Sequence, residues 1–144
     1  MSRLTDIDNY LVVENGQIKE STFKQDIQIQ NQTLTINEDA KVQIIYKVTQ
    51  EGDYRFNITL KERLHVDLIE MYEVSTKCRF TKNIKVNESC EVLRYVEKNS
   101  QENISIDLDE NVDVCANAHI SCAYVELTDY STFSKVKYQL LEEG

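Results

Sequence analysis

The chain has 144 residues and a formal net charge of −9, with 25 acidic residues against 16 Lys and Arg, no Pro and three Gly. That length fits one domain able to bury a core, and the scarcity of Pro and Gly argues against linkers or low-complexity tails. The acidic balance lacks the positive footprint that nucleic acid or an anionic membrane requires. No apolar run approaches the roughly 20 residues of a membrane-spanning helix and no basic-then-apolar leader opens the chain, so the expected location is cytoplasmic.

Helix signals are weak throughout. Residues 1–10 read as a lead-in, in which Leu4 to Tyr10 is either a short helix or the approach to the first strand. From 11 to 122 one short pattern returns. Ile36, Leu60, Val86 and Leu108 each begin a copy, followed two residues on by Glu38, Glu62, Glu88 or Glu110 and six residues on by Val42, Val66, Val92 or Val114; a looser copy begins at Val12, with Glu14 and Ile18. The anchors are 24, 24, 26 and 22 residues apart, the period of one solenoid coil. Two places before each anchor stands another apolar residue (Tyr10, Leu34, Ile58, Ile84, Ile106), the alternation of a strand with one face inward.

The polar triplets beyond the anchors, such as Asn37-Glu38-Asp39 and Asn87-Glu88-Ser89, read as corners, because Asn and Asp tolerate bends and bond to their own main chain. Stacked coils bring the Glu residues into one column of like charge. Lys61, Arg63 and Lys85 lie close enough to help, and a solvated corner is the expected arrangement. The expected fold is therefore all-β, a parallel solenoid of about five to six coils in a single domain. Residues 123–137 break the period and are expected to loop out; 138–144 then start a truncated coil whose open strand edges invite a partner.

Four cysteines without a leader suggest reduced thiols. Cys90 falls in an inward column and reads as a small buried hydrophobe, whereas Cys78 lies in a connection where exposure is expected. Cys115, His119 and Cys122 form the one local group of good metal ligands. In an extended strand Cys115 and His119 stand roughly 13 Å apart, so they serve one ion only if the chain bends between them or another coil or chain completes the set. Of the two histidines, His65 is expected to face solvent.

Three segments carry a resemblance: Val66-Asp67-Leu68-Ile69-Glu70-Met71-Tyr72, then Arg79-Phe80-Thr81-Lys82-Asn83-Ile84-Lys85-Val86, then Cys90-Glu91-Val92-Leu93-Arg94-Tyr95. Together they resemble the core of the SufB/SufD family of iron–sulfur cluster assembly proteins, over residues 34 to 144. Tyr138 to Gly144 looks like a coil start of that family, cut short. The resemblance implies a right-handed parallel β-helix that forms a homo- or heterodimer with a SufB/SufD-like paralogue and works with an ABC-type ATPase to build and hand on clusters. The helical N-terminal region and the C-terminal segment that grips the ATPase have almost no counterpart here, and the family's junction Cys and His do not transfer onto Cys115, His119 or Cys122. The expected function is a non-enzymatic scaffold or accessory subunit of iron–sulfur cluster assembly, with an iron–sulfur cluster as possible cofactor. The alternative is a β-solenoid interaction module without a metal role.

Overall fold

The computed structural model of the chain describes residues 9–100, 106–127 and 133–140. Two hairpins come first. β1 (Asn9–Glu14) turns through Asn15 and Gly16 into β2 (Gln17–Thr22), and β3 (Ile27–Gln30) turns through Asn31 and Gln32 into β4 (Thr33–Ile36). Both turn residues have positive φ in each hairpin, 49° and 79° in the first, 52° and 63° in the second. This is the backbone of a type I′ turn, whose twist matches that of the flanking strands. Residues 14–16, which the repeat pattern marks as a corner, are thus the first hairpin turn.

Regular winding follows. β5 (Ala40–Val48), β7 (His65–Val74), β9 (Glu91–Ser100) and β11 (His119–Leu127) stack parallel on β1 in one sheet. β6 (Asp53–Leu60), β8 (Cys78–Val86), β10 (Ile106–Val114) and β12 (Phe133–Leu140) stack parallel on β4 in the other. Because successive strands alternate between the sheets, the chain forms a parallel β-solenoid, and among the described residues there is no helix. β2 and β3 lie antiparallel at the same end of the two sheets and close it. The solenoid makes about three turns, fewer than the five to six coils expected from the repeat. The copy at Val12 belongs to a hairpin, and the copy at Leu108 is misplaced.

Register explains that misplacement. Ile36, Leu60 and Val86 do share an inward column and are fully buried. The next residues in register are Val114 and then Leu140, not Leu108, which pairs with Phe80. The paired residue numbers now step by 24, 26, 28 and 26, so no long gap remains. Ala123–Leu127 finish β11 and Phe133–Leu140 form β12, where an insertion over 123–137 and a new coil from 138 were expected. Residues 1–8, 128–132 and 141–144 of the expected lead-in, loop and coil start lie outside the described residues.

Three corners share one backbone geometry: Lys61–Leu64 and Asn87–Cys90, where the repeat pattern expects corners, and Cys115–Ala118, where it does not. Arg63, Ser89 and Asn117 occupy equivalent places in them, each in the left-handed region with φ near 60°. Main-chain bonds link one corner to the next, from Arg63 N to Glu88 O (2.9 Å) and from Ser89 N to Ala116 O (3.1 Å). Glu38 and Glu62 are exposed at their corners, as the solvated reading expects, whereas Glu88 is half-buried and Glu110 lies inside the strand β10 and is buried, against it.

Between the sheets the inward columns are mostly apolar. Tyr46 stacks on Tyr72 with ring centroids 4.6 Å apart, and the edges of Phe56 and Phe80 meet them. Each such buried side chain stabilises the fold by about 1.5–3 kcal/mol relative to exposure. On the outside of the second sheet Asn57, Asn83 and Asn111 form a ladder, each amide donating to the residue one coil back: Asn111 to Asn83 (3.2 Å), Asn83 to Asn57 (3.0 Å) and Asn57 to Thr33 (3.4 Å). No helix among the described residues is long and apolar enough to cross a membrane.

Candidate functional site

Four consecutive strands each place a charged residue at an inward position, and β9 adds a second, Lys98, 3% exposed. β7 carries Glu70, β8 Lys82, β9 Arg94 and β10 Glu110, and all four are at most 3% exposed. Their other column neighbours are mostly apolar, Ile44 and Val96 beside Glu70, Phe56 beside Lys82 and Leu68 beside Arg94, while Lys82 and Glu110 are themselves register partners. Such a set survives burial only as a paired network, because an unpaired charge in this setting costs several kcal/mol.

Arg94 is its centre. Its Nη1 donates to Glu110 Oε1 (2.9 Å) and its Nη2 to Glu110 Oε2, a two-pronged grip, while its Nε donates to Glu70 Oε2. Lys82 Nζ lies against Glu70 Oε1 and 3.4 Å from Glu110 Oε2, and it stands over the rings of Tyr46 and Tyr72 at 4.7 and 5.5 Å. Two carboxylates therefore face two cations. Hydroxyls fill the remaining acceptor positions: Tyr46 donates to Glu70 (2.7 Å), and Tyr124 (2.7 Å) and Tyr72 (3.4 Å) donate to Glu110.

Burial alone would raise the pKa of the Glu110 carboxyl, but the charges and hydrogen bonds of Lys82 and Arg94 outweigh it and hold the group at about 2. Burial lowers Arg94, and the Glu110 contacts more than compensate, so the guanidinium stays charged. For Lys82 the shift is downward. Burial, reinforced by the Arg94 charge, pulls its ammonium well below the usual lysine range, against the attraction of Glu110. Burial also pushes the Tyr46 and Tyr72 hydroxyls well up, keeping them protonated as donors. Tyr124, 37% exposed, is where the network meets the surface; Lys98 Nζ stands 5.4 Å from its ring.

The residues expected as metal ligands are distributed differently. A tight turn does separate Cys115 from His119, closed by Ala118 N donating to Cys115 O (3.1 Å). His119 and Cys122, however, are an odd number of residues apart on β11 and face opposite sides of the sheet. Cys122 sits in the inward column with Arg94, and His119 is exposed. Among the described residues no three His, Cys, Asp or Glu side chains converge on a point that would hold a metal ion. Cys90 is fully buried and donates to Lys61 O (2.9 Å). Cys78 opens β8 and is 5% exposed, not in the exposed connection expected of it. His65 faces solvent, as expected.

Outside the same sheet a groove of about 440 Å³ runs across β7, β9 and β11, lined by Asp67, Ile69, Leu93, Tyr95, Ser121 and Ala123. Leu93 is 63% exposed there. Comparison with known proteins finds no matching family model, no matching curated protein and no matching solved structure.

Proposed function

We propose that the chain is a scaffold or accessory subunit of iron–sulfur cluster assembly that works with an ABC-type ATPase and leaves the chemistry to partner enzymes. The observation that carries this reading is that the segments resembling the SufB/SufD family meet in one place. Glu70 and Tyr72 of the first segment, Lys82 of the second and Arg94 of the third build the buried network together. A parallel solenoid, right-handed like nearly all parallel crossovers, suits a role of rigid support in the cytoplasm.

Cys115, His119 and Cys122 do not fit a cluster by themselves in this arrangement, so a cluster handled by the chain is cargo whose ligands a partner completes. Among the described residues β11 and β12 are the edge strands at the end opposite the hairpin cap, and edges of this kind pair with a second chain. The partner is a second copy or a SufB/SufD-like paralogue. A second reading, a solenoid interaction module without a metal role, is favoured by the exposed Leu93 in its groove.

An anaerobic pull-down of the tagged chain from native lysate, with iron and sulfide assayed in the same eluate, separates the two. An ABC-type ATPase and a longer paralogue recovered with iron support the assembly reading. Other partners without iron support the module, and a monomer in light scattering at micromolar concentration argues against the dimer.

A further inference from the structure

The chain contains two histidines, and the winding of the solenoid brings both to one outward column. His65 opens β7, Glu91 opens β9 and His119 opens β11, and the register pairs His65 with Glu91 and Glu91 with His119. An imidazole thus stands on each side of one carboxylate on three successive coils. All three residues are exposed. His65 already leans inward along the column, with Nε2 3.2 Å from Glu91 Oε2. Its backbone N–H is held by Asp39 Oδ1 (2.9 Å) on the preceding coil, and His119 N donates to Cys90 O (2.8 Å), so the backbones at both ends of the column are fixed.

We propose that His65, Glu91 and His119 form a surface site for a divalent transition metal of the zinc type. Neighbouring strands are about 4.8 Å apart, which puts the two histidine backbones about 10 Å apart with Glu91 midway. Zinc bonds of about 2 Å require the two ring nitrogens to approach within about 4 Å of each other. The three side chains do not converge as they stand; the site requires rotation of the His119 ring toward Glu91, mirroring the lean of His65, and each imidazole is long enough to reach over half the column. Two imidazoles and a carboxylate are a ligand set suited to zinc, and water takes the fourth position. The ion clips three coils together at their corners. This inference stands apart from the scaffold reading, since none of the three residues touches the buried network.

The test is calorimetric titration of the reduced, metal-free chain with zinc, with the imidazole proton signals followed in parallel. The site predicts saturation at one ion per chain, simultaneous shifts of both imidazoles, and a higher melting temperature with zinc. His65→Ala and His119→Ala each lower affinity at least about tenfold, since loss of a ligand costs no less than loss of an outer-shell partner. Cys115→Ser/Cys122→Ser leaves it unchanged. Circular dichroism confirms that the exposed histidine variants keep their fold. Absence of saturable binding overturns the proposal. So does binding that survives His65→Ala and fails in the double thiol variant, which assigns the ion to the thiols instead.

Discussion

Arg94 holds both carboxylate oxygens of Glu110 through two separate nitrogens, across an interior from which water is excluded. The geometry is the fork-on-fork match that guanidinium and carboxylate share, and it joins β9 of one sheet to β10 of the other. Removing one partner leaves the other charged and buried. Glu110→Gln is expected to destabilise the fold by about 3–5 kcal/mol, read as a lowered urea midpoint. Stability also follows the titration of Glu110. Its pKa is about 2 in the folded chain against an ordinary 4.5, so its contribution is complete above pH 4.5 and is lost as pH falls toward 2. The loss amounts to about 3 kcal/mol. Urea melts at stepped pH should show this decline, and Glu110→Gln should flatten it.

Lys82 and Glu70 test whether the network behaves as a unit. Lys82→Met removes a cation and leaves two carboxylates facing Arg94 alone, which is expected to cost roughly 3 kcal/mol. Adding Glu70→Gln restores charge balance. The double variant is therefore expected to be more stable than Lys82→Met alone, with a coupling energy within about 0.5–3 kcal/mol. Strictly additive losses in denaturant melts would show that the two residues act independently.

The four thiols should divide into two kinetic classes. Burial pushes the Cys78 thiol up to about 11, helped by the charge of Asp107, and burial raises Cys90 as well. Both are closed to solvent, whereas Cys115 and Cys122 are half-buried. A thiolate-specific reagent at mildly alkaline pH is expected to label Cys115 and Cys122 in the native chain and to reach Cys78 and Cys90 only on unfolding. Mass mapping of the labelled peptides checks the assignment; early labelling of Cys90 would contradict it.

How much of this was readable from residues alone depends on which positions carried a single meaning. Ile36, Leu60 and Val86 gave the column and the solenoid correctly, because their neighbours alternate without exception. Leu108 misled, since Leu108-Asp109-Glu110 has the same apolar-to-Glu spacing as a corner while Glu110 in fact points inward. The network was missed for a related reason: Glu70, Lys82, Arg94 and Glu110 are 12, 12 and 16 residues apart and form no motif. A signal was present nonetheless. Each is a charged residue interrupting an apolar inward alternation, as in Val66, Leu68, Glu70, Tyr72, Val74, and on β9 Lys98 is a second such interruption. The histidine column was hidden because a step of 26 and then 28 residues becomes a contact only after the coils are wound.

The hairpin cap gives the folding of this chain a direction. Glu14 meets Gln17 and Gln30 meets Thr33 across two-residue turns, whereas Ile36 must find Leu60 across a whole coil. Closing the short turns costs little entropy, and closing a coil costs more unless an ordered edge is already present to receive it. The two hairpins supply that edge. Coils are then expected to add onto it one after another, each ordered strand serving as the template for its successor, in the manner of a zip drawn from its closed end.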